Sequence, residues 1–492
     1  MATTNTLKQI LHRKVWELCT PLMAPNNAVN TAAGSFAVSD KFNLTPRANA
    51  FFVNGVSAIY RYDAEQDGWQ QLPNSGIAGT FAAGSCGEFR GLGAMGGVFT
   101  QTATAGTTTT ITTNRTIIRR LSDVAIRVVA GTGVGYTGTI TNSTIGSNSV
   151  LTVSPANAVA FNATTQFQVY SGSLWFFNAG TTAVGFSVYD VATNTWTARS
   201  VTGLPTAFGT SGRLVSTIGS AASFGSGTST GTNTTTTLNN TGKAWLVNQW
   251  ANYQVRITGG TGIGQIRMIA SNTATALTVS AAWTVTPDAT SAYLIEGNDD
   301  YMYLLGNNAV TMYRFQVSTN TWTTLAPTAA RAASAGAGFS ANWIDSASTW
   351  ALPSNEAPRA LTGSANVYKQ LGRYIFSFRG GGSAGLDVYD IAANTWISSL
   401  AYGNSQEAFT TGSSHVDFDG KIYSQKENTA RILRFDVDSW SMQTFTGHPY
   451  PQGTTVEGEK MFTIPYVDGA TKLVYLYTLS HSNSNLIRVL II

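Results

Sequence analysis

Charge is what this chain has least of. Asp, Glu, Lys and Arg make up 11% of its 492 residues, against roughly 25% in ordinary soluble domains. Solubility therefore falls to Thr, Ser, Asn and Gly, a composition suited to β surfaces and to interfaces in a stable assembly. The formal net charge is only +4 and no long Lys/Arg run occurs, which argues against a nucleic-acid reader. Arg115, Arg119 and Arg120 form the one local basic cluster, and a solvated face accounts for them. Cysteine is almost absent: Cys19 and Cys86 give neither a disulfide framework nor a metal-ligand spacing. Four histidines, His12, His415, His448 and His481, are scattered, and none forms His-x-x-x-His or His-Glu-x-x-His. No apolar run approaches the ~18 residues of a membrane span, and the opening Met-Ala-Thr-Thr-Asn-Thr-Leu-Lys lacks a secretory pattern. Synthesis in a reducing cytosol is the expectation. The sequons at Asn43, Asn142, Asn162, Asn233 and Asn239 then follow by chance from abundant Thr.

In place of charge there is a repeat. The pattern Tyr-(x)6-Trp occurs at Tyr62 to Trp69, Tyr189 to Trp196, Phe315 to Trp322 (Phe for Tyr) and Tyr389 to Trp396. A degenerate copy runs from Phe435 through Asp436 to Trp440, two residues shorter. An acid follows the aromatic at Asp63, Asp190 and Asp390, with Gln316 in its place once, and Asn-Thr precedes Trp in three copies. Alternating apolar residues on both sides of a short polar turn describe a hairpin whose Asp and Asn side chains bond the turn backbone. The Trp ring is expected to pack between neighbouring sheets. Upstream lie apolar strands ending in Gly, such as Tyr374 to Gly380 and Tyr301 to Gly306. Strand, Gly turn, strand with aromatic, polar turn and strand with Trp make most of a four-stranded blade.

This pattern resembles the kelch repeat, in which a Gly pair, a Tyr and a Trp at this spacing mark one blade of a β-propeller. The Gly pair is complete only at Gly381-Gly382. The resemblance implies an all-β, kelch-like propeller acting as a rigid platform.

The intervals between motif tryptophans are uneven. A kelch blade takes about 50 residues, and each of the first two intervals exceeds that by roughly 75. The two surpluses resemble each other: Ile126-Arg-Val-Val-Ala-Gly-Thr-Gly133-Val-Gly135 matches Val255-Arg-Ile-Thr-Gly-Gly-Thr-Gly262-Ile-Gly264, a Leu-Thr-Val-Ser follows in each, and each opens with a Thr tract. Two duplicated β modules, each a small barrel or sandwich, are thus expected inside successive blades. The expected division is 1–40, an N-terminal helix and linker arm; 41–100, first propeller part; 101–170, module one; 171–225, propeller; 226–297, module two; and 298–492, remaining blades and closure. About 310 propeller residues at roughly 50 per blade give about six blades. The stretch holding Trp343 and Trp350 leaves a long loop or a seventh blade open.

Leu7, Ile10, Leu11, Val15 and Leu18 fall at helical spacing, predicting an amphipathic helix from about Thr6 to Cys19, stopped before Pro21. It reads either as a helix packed on the protein's own rim or as a candidate assembly arm for a neighbouring subunit.

Chemistry is sparse, and no catalytic, cofactor or metal residue is expected. Gly131-Thr-Gly133-Val-Gly135 and Gly260-Thr-Gly262-Ile-Gly264 look like phosphate loops, yet no Lys-Ser/Thr and no helix follows, so β-turns are expected. One carboxylate per repeat (Asp63, Asp190, Asp390, Asp436) cannot assemble the oxygen shell of calcium, and turn capping explains these acids better. Asp417-Phe-Asp419-Gly420 likewise reads as a hairpin turn. A copper-radical oxidase lacks its histidines here and a sialidase propeller lacks its Asp box. Sparse charge, paired Thr-rich modules and an N-terminal arm together resemble virion proteins of tailed bacteriophages. That resemblance implies a non-enzymatic structural component of tail, neck, fibre or capsid surface, homo-oligomeric, located in the virion and contacting other virion proteins, with neither nucleic acid nor membrane as partner. The alternatives are a carbohydrate- or receptor-binding propeller, with a host-surface glycan as partner, and an intracellular kelch adaptor.

Overall fold

The computed structural model describes residues 16–491 except 23–35, 40–48, 54–57, 91–98, 115–123, 191–194, 209–212, 217–224, 297–300, 306–310, 329–337, 342–373, 380–383, 401–407, 410–413, 437–440, 448–460, 480–484 and stretches of three residues or fewer. All regular structure among the described residues is β. Among the described residues, six sheets have four antiparallel strands each. In chain order their first strands are Phe36–Ser39, Cys86–Arg90, Arg213–Ser216, Gly338–Ala341, Ser414–Phe418 and Met461–Asp468. Each of these touches the first strand of the next sheet, and Met461–Asp468 touches Phe36–Ser39, so the cycle closes. Side chains follow the same ring. The first sheet packs on the second through Phe51, Phe89 and Tyr189, the second on the third through Trp175, Phe186 and Phe315, and the third on the fourth through Tyr303 and Tyr389. Phe378 and Phe435 join the fourth to the fifth, Tyr423 and Leu476 the fifth to the sixth, and Tyr477 and Tyr62 the sixth to the first. Flat rings tilted against one another at 4.8–6.0 Å, as in Phe186 on Phe315 and Phe51 on Tyr189, suit wedge-shaped gaps between twisted sheets. A ring of sheets packed face to face in this way is a β-propeller.

The repeated motif builds the outer half of each sheet. Tyr62, Tyr189, Phe315 and Tyr389 lie on third strands, directly opposite Trp69, Trp196, Trp322 and Trp396 on fourth strands. The turn between them places Asp67, Asn320 and Asn394 at positive φ (47°, 54° and 50°), which Asp and Asn tolerate better than other side chains. Their carboxyl or amide oxygen then accepts the buried phenol: Tyr62 Oη donates to Asp67 at 2.6 Å and Tyr389 Oη to Asn394 at 2.7 Å. Where Phe315 replaces Tyr no phenol is present, and Asn320 instead accepts from the Ser200 amide of the preceding sheet at 3.1 Å. Asn394→Ala removes the Tyr389 acceptor and the bond from Asn394 Nδ2 to the Ala326 carbonyl (3.0 Å), and puts Ala at positive φ. A loss of about 2 kcal/mol is expected in urea unfolding.

Two further sheets, of seven and six strands, span Phe99–Tyr170 and Gly225–Glu296. Each lies between the first and second strands of its host sheet, the second and the third respectively, and encloses its own core: Ile111, Ile126, Ile140 and Phe167 in one, Leu238, Val255, Ile269 and Tyr293 in the other.

The N-terminal helix is corrected for residues 16–18. Trp16–Leu18 is a strand, the fourth of the last sheet, with Trp16 opposite Val489, Glu17 opposite Arg488 and Leu18 opposite Ile487. An isolated helix of ~14 residues is marginal in water. The edge of Leu486–Leu490 offers instead a row of backbone bonds, continued by the Cys19 amide to the Leu486 carbonyl at 2.8 Å, and a slot for the indole. Leu7, Ile10, Leu11 and Val15 lie outside the described residues.

Candidate functional surface

The motif residues come together as packing. Tyr62, Tyr189, Phe315, Tyr389 and Phe435 are at most 1% exposed, Trp196, Trp322 and Trp396 at most 7%, and Trp69 is half-buried. The indoles of Trp196 and Trp322 donate across the gap to Pro73 and Ser200 carbonyls, both at 2.9 Å. These carbonyls follow the outer strand of the preceding sheet. Of the acids, Asp390 caps its turn, accepting the Ala393 amide at 3.1 Å. Asp63, Asp190 and Asp436 end the corresponding third strands. The fifth copy differs from its expected form: Phe435 faces Met442, seven positions on as in the other pairs, and Met442 is buried. No residues are lost there. A thioether fills the indole's place, and Trp440 lies outside the described residues.

One tryptophan takes the motif position without the motif's sequence. Across the third sheet the register runs Ser216, Met302, Phe315, Trp322. Across the sixth it runs Thr463, Leu476, Val489, Trp16. Trp16 therefore occupies the motif position of the last sheet, and its Nε1 donates to the Gly447 carbonyl at 2.5 Å, at the end of the preceding sheet's outer strand. The only local signal is the alternation Trp-Glu-Leu. Around this closure Glu17 pairs with Arg488 at 2.7 Å, the Arg488 guanidinium stacks 4.6 Å from the Tyr475 ring centroid, and Arg488 Nη1 donates to Tyr477 Oη at 3.3 Å. Burial pushes the Cys19 thiol up to about 11, with Arg488 opposing, which disfavours the thiolate that nucleophilic chemistry needs.

His415 Nδ1 and Ser424 Oγ lie 2.8 Å apart, a spacing a hydrolase would use. Both residues are sealed, at 3% and 0% exposure, with the imidazole stacked on Phe378 and edged by Phe409. Burial, then the positive charge of Arg213, lowers its pKa from 6.5 to about 3, which makes it a poor base. Among the described residues no three His, Cys, Asp or Glu converge as a metal site, and no helix is long and apolar enough to cross a membrane.

Exposed large apolar side chains lie elsewhere. Among the described residues, Leu18 (64%) is one, at the edge of the last sheet, while Val134 (66%), Val159 (55%), Leu246 (50%), Val247 (75%), Ile263 (55%) and Val285 (49%) lie in turns and loops of the two further sheets. Val134 and Ile263 occupy the same place in the two glycine loops. These loops are turns: Gly131, Gly133, Gly260 and Gly262 have φ of 73°, 82°, 70° and 82°, and a Cβ on Gly131 or Gly260 would strike the Thr164 or Thr290 carbonyl. The turns are latched alike. Thr132 and Thr164 hydroxyls meet at 3.0 Å and Asn162 Nδ2 donates to Thr132 at 2.9 Å. Thr261 and Thr290 hydroxyls donate to Asp288 at 2.7 and 2.6 Å, and Thr290, then Thr261, hold that carboxyl below its usual pKa.

No family model and no curated protein matches the chain. Solved structures similar to it include AofleA from Arthrobotrys oligospora, at 9% identity over 94% of this chain and 84% of that one, with TM-score 0.37. A mutant of Aleuria aurantia lectin in complex with alpha-methyl-L-fucoside shows 10% identity over 93% and 92%, TM-score 0.38. The endosialidase of phage phi92 shows 11% identity over 98% and 70%, TM-score 0.29.

Proposed function

We propose that the chain is a six-bladed, kelch-type propeller with two duplicated modules, 101–170 and 226–297, and that it serves without catalysis as an assembly platform in a tailed-phage virion. The observation that carries this reading is where the apolar side chains are left. The propeller's described aromatics are packed into its six cores, whereas the modules keep aliphatic side chains at matching positions in water, and the reading takes these as points that another protein covers in the assembly. Proteins that stack sugars use ring faces, and none of the exposed large side chains above is aromatic. Particles purified from infected cells are expected to contain the chain at fixed stoichiometry. The double variant Val134→Asp, Ile263→Asp should fold with an unchanged thermal transition yet be incorporated at least tenfold less. Wild-type chain found only as free monomer, absent from particles, defeats the reading.

Carbohydrate binding is the second reading. Its candidate stacking residues from the sequence, Trp343 and Trp350, lie outside the described residues. Glycan-array binding lost on Trp343→Ala or Trp350→Ala would establish it over the first.

A further inference from the structure

We infer that the gaps between the first and second, third and fourth, and fifth and sixth sheets each hold a binding site for an acidic sugar, whose carboxylate is taken by Arg61, Arg314 or Arg434. These arginines share one position of the repeat. Each directly precedes the buried motif aromatic, Tyr62, Phe315 or Phe435, and lies opposite an aromatic on the second strand of its sheet: Phe51, Tyr303 and Tyr423 respectively. Side chains alternate along a strand, so the arginine faces the other gap from the motif aromatic. Phe51, Tyr303 and Tyr423 belong to the cores of those three gaps. Arg314 stacks 4.3 Å from the Tyr301 ring centroid and Arg434 6.0 Å from that of Phe445, in the same cores.

A fourth copy shows what a purely structural arginine has here. Arg488 holds this position in the last sheet and faces Glu17 on the outer strand, with which it pairs at 2.7 Å. In the other three the outer-strand residue is neutral: Gln70, Thr323 and Gln443. Among the described residues no carboxylate pairs with Arg61, Arg314 or Arg434. All three are half-buried and a guanidinium keeps its charge, so each carries a partly desolvated charge that no acid of the described fold neutralises. The Nε atoms of Arg61 and Arg434 are buried without a protein partner. Val188 and Val388 stand at this position in the second and fourth sheets. The charge therefore recurs at every second sheet along this half of the repeat and is not a requirement of the blade.

The surroundings select the ligand. A guanidinium donates in a planar fork that matches a carboxylate. Beside it the two glutamine amides and the threonine hydroxyl can both donate and accept, and all three residues are exposed. Arg61 Nη2 donates to Gln70 Oε1 at 2.7 Å, which leaves the amide nitrogen of Gln70 for a ligand oxygen. Sugar hydroxyls use both roles, whereas a bare sulfate or phosphate uses donors alone. A uronic acid, whose carboxylate sits beside ring hydroxyls, meets both demands and needs no exposed aromatic face. The inference does not rest on what the modules bind.

Ligand-observed NMR on the full-length chain tests it, with D-glucuronate as probe and D-glucose and acetate as controls. Saturation transfer to the glucuronate ring protons is expected to be saturable and about fivefold or more above that to glucose, which lacks the charge-assisted bonds. Sites in separate gaps act independently, so Arg61→Gln, Arg314→Gln and Arg434→Gln should each lower the maximal signal by about a third, and the triple variant should abolish it. If a glutamine variant fails to fold, the triple variant Gln70→Ala, Thr323→Ala, Gln443→Ala, confined to exposed positions, replaces it and should weaken binding about fivefold. No saturable transfer to glucuronate in the wild-type chain overturns the inference, as does a triple variant that binds like wild type. Glucose responding as strongly as glucuronate, or acetate competing as tightly, shows an unspecific sugar or an adventitious ion only and overturns it as well.

Discussion

Replacing Trp16 by Ala is expected to destabilise the protein by about 3 kcal/mol, close to the cost of truncating a core aromatic, although the residue sits in a three-residue strand at the edge of a sheet. Three effects add. The indole leaves the core it shares with Tyr423, Phe445 and Leu476, the Gly447 carbonyl loses its donor, and the remaining pairs of Glu17 and Leu18 hold an edge strand too short to persist alone. Trp322→Ala, in a wholly local copy of the motif, serves as the reference and should cost roughly 3–5 kcal/mol. Trp16→Phe keeps the apolar packing and loses the hydrogen bond, so about 1 kcal/mol is expected. Amide exchange should localise the effect, with protection lost along Leu486–Leu490 before the other sheets change. Chemical denaturation with all three variants makes the comparison. A cost below about 0.5 kcal/mol for Trp16→Ala, a threshold set by ordinary surface substitutions, would show that the last sheet stands without its fourth strand.

The contrast between Trp322 and Trp16 also shows what could be read from sequence. An aromatic and a Trp on paired strands seven positions apart leave a local trace, because a hairpin turn of fixed length fixes their register. Tyr62 faces Trp69 and Tyr389 faces Trp396 for this reason, and Asp390 caps its turn, whereas the acceptor in the first copy is Asp67, four residues past the Asp63 of the motif. The string of apolar residues and glycines that occurs twice in the sequence falls once in each of the two further sheets. Trp16 was not legible, since its partner Val489 lies at the other end of the chain and a ring's closure is a property of register between distant segments. Its flanking residues even satisfy helical spacing, and the open edge of the last sheet overrides that local preference. Met442 was hidden for a different reason: a nearby Trp440 drew the motif two residues short, while the turn length kept Met in the position facing Phe435. Val134 and Ile263 sit inside the two glycine loops, but that the turns aim them into water is a property of the folded turn and not of the string.

Acid is expected to unfold this protein earlier than its sparse carboxylates imply, through His415. The imidazole is enclosed by Phe378 and Phe409, with Ser424 at one nitrogen and the Arg213 charge nearby, and its pKa falls from 6.5 to about 3. The folded state thus refuses a proton that the unfolded chain accepts below pH 6.5. Stability from this group is complete above pH 6.5 and declines as pH falls toward 3, where the folded form at last protonates. At about 1.4 kcal/mol per pH unit, the loss between pH 7 and pH 4 is roughly 3 kcal/mol. His415→Phe removes the titration and keeps a flat ring between Phe378 and Phe409, at the expense of leaving Ser424 Oγ without its partner, about 1–2 kcal/mol. The two stability curves should therefore cross, with the variant weaker at pH 7 and stronger at pH 4, as urea midpoints measured across this range would report. Parallel curves would mean that His415 titrates alike in the folded and unfolded chains, which its enclosure by aromatic rings does not permit unless the gap between the fourth and fifth sheets opens to water.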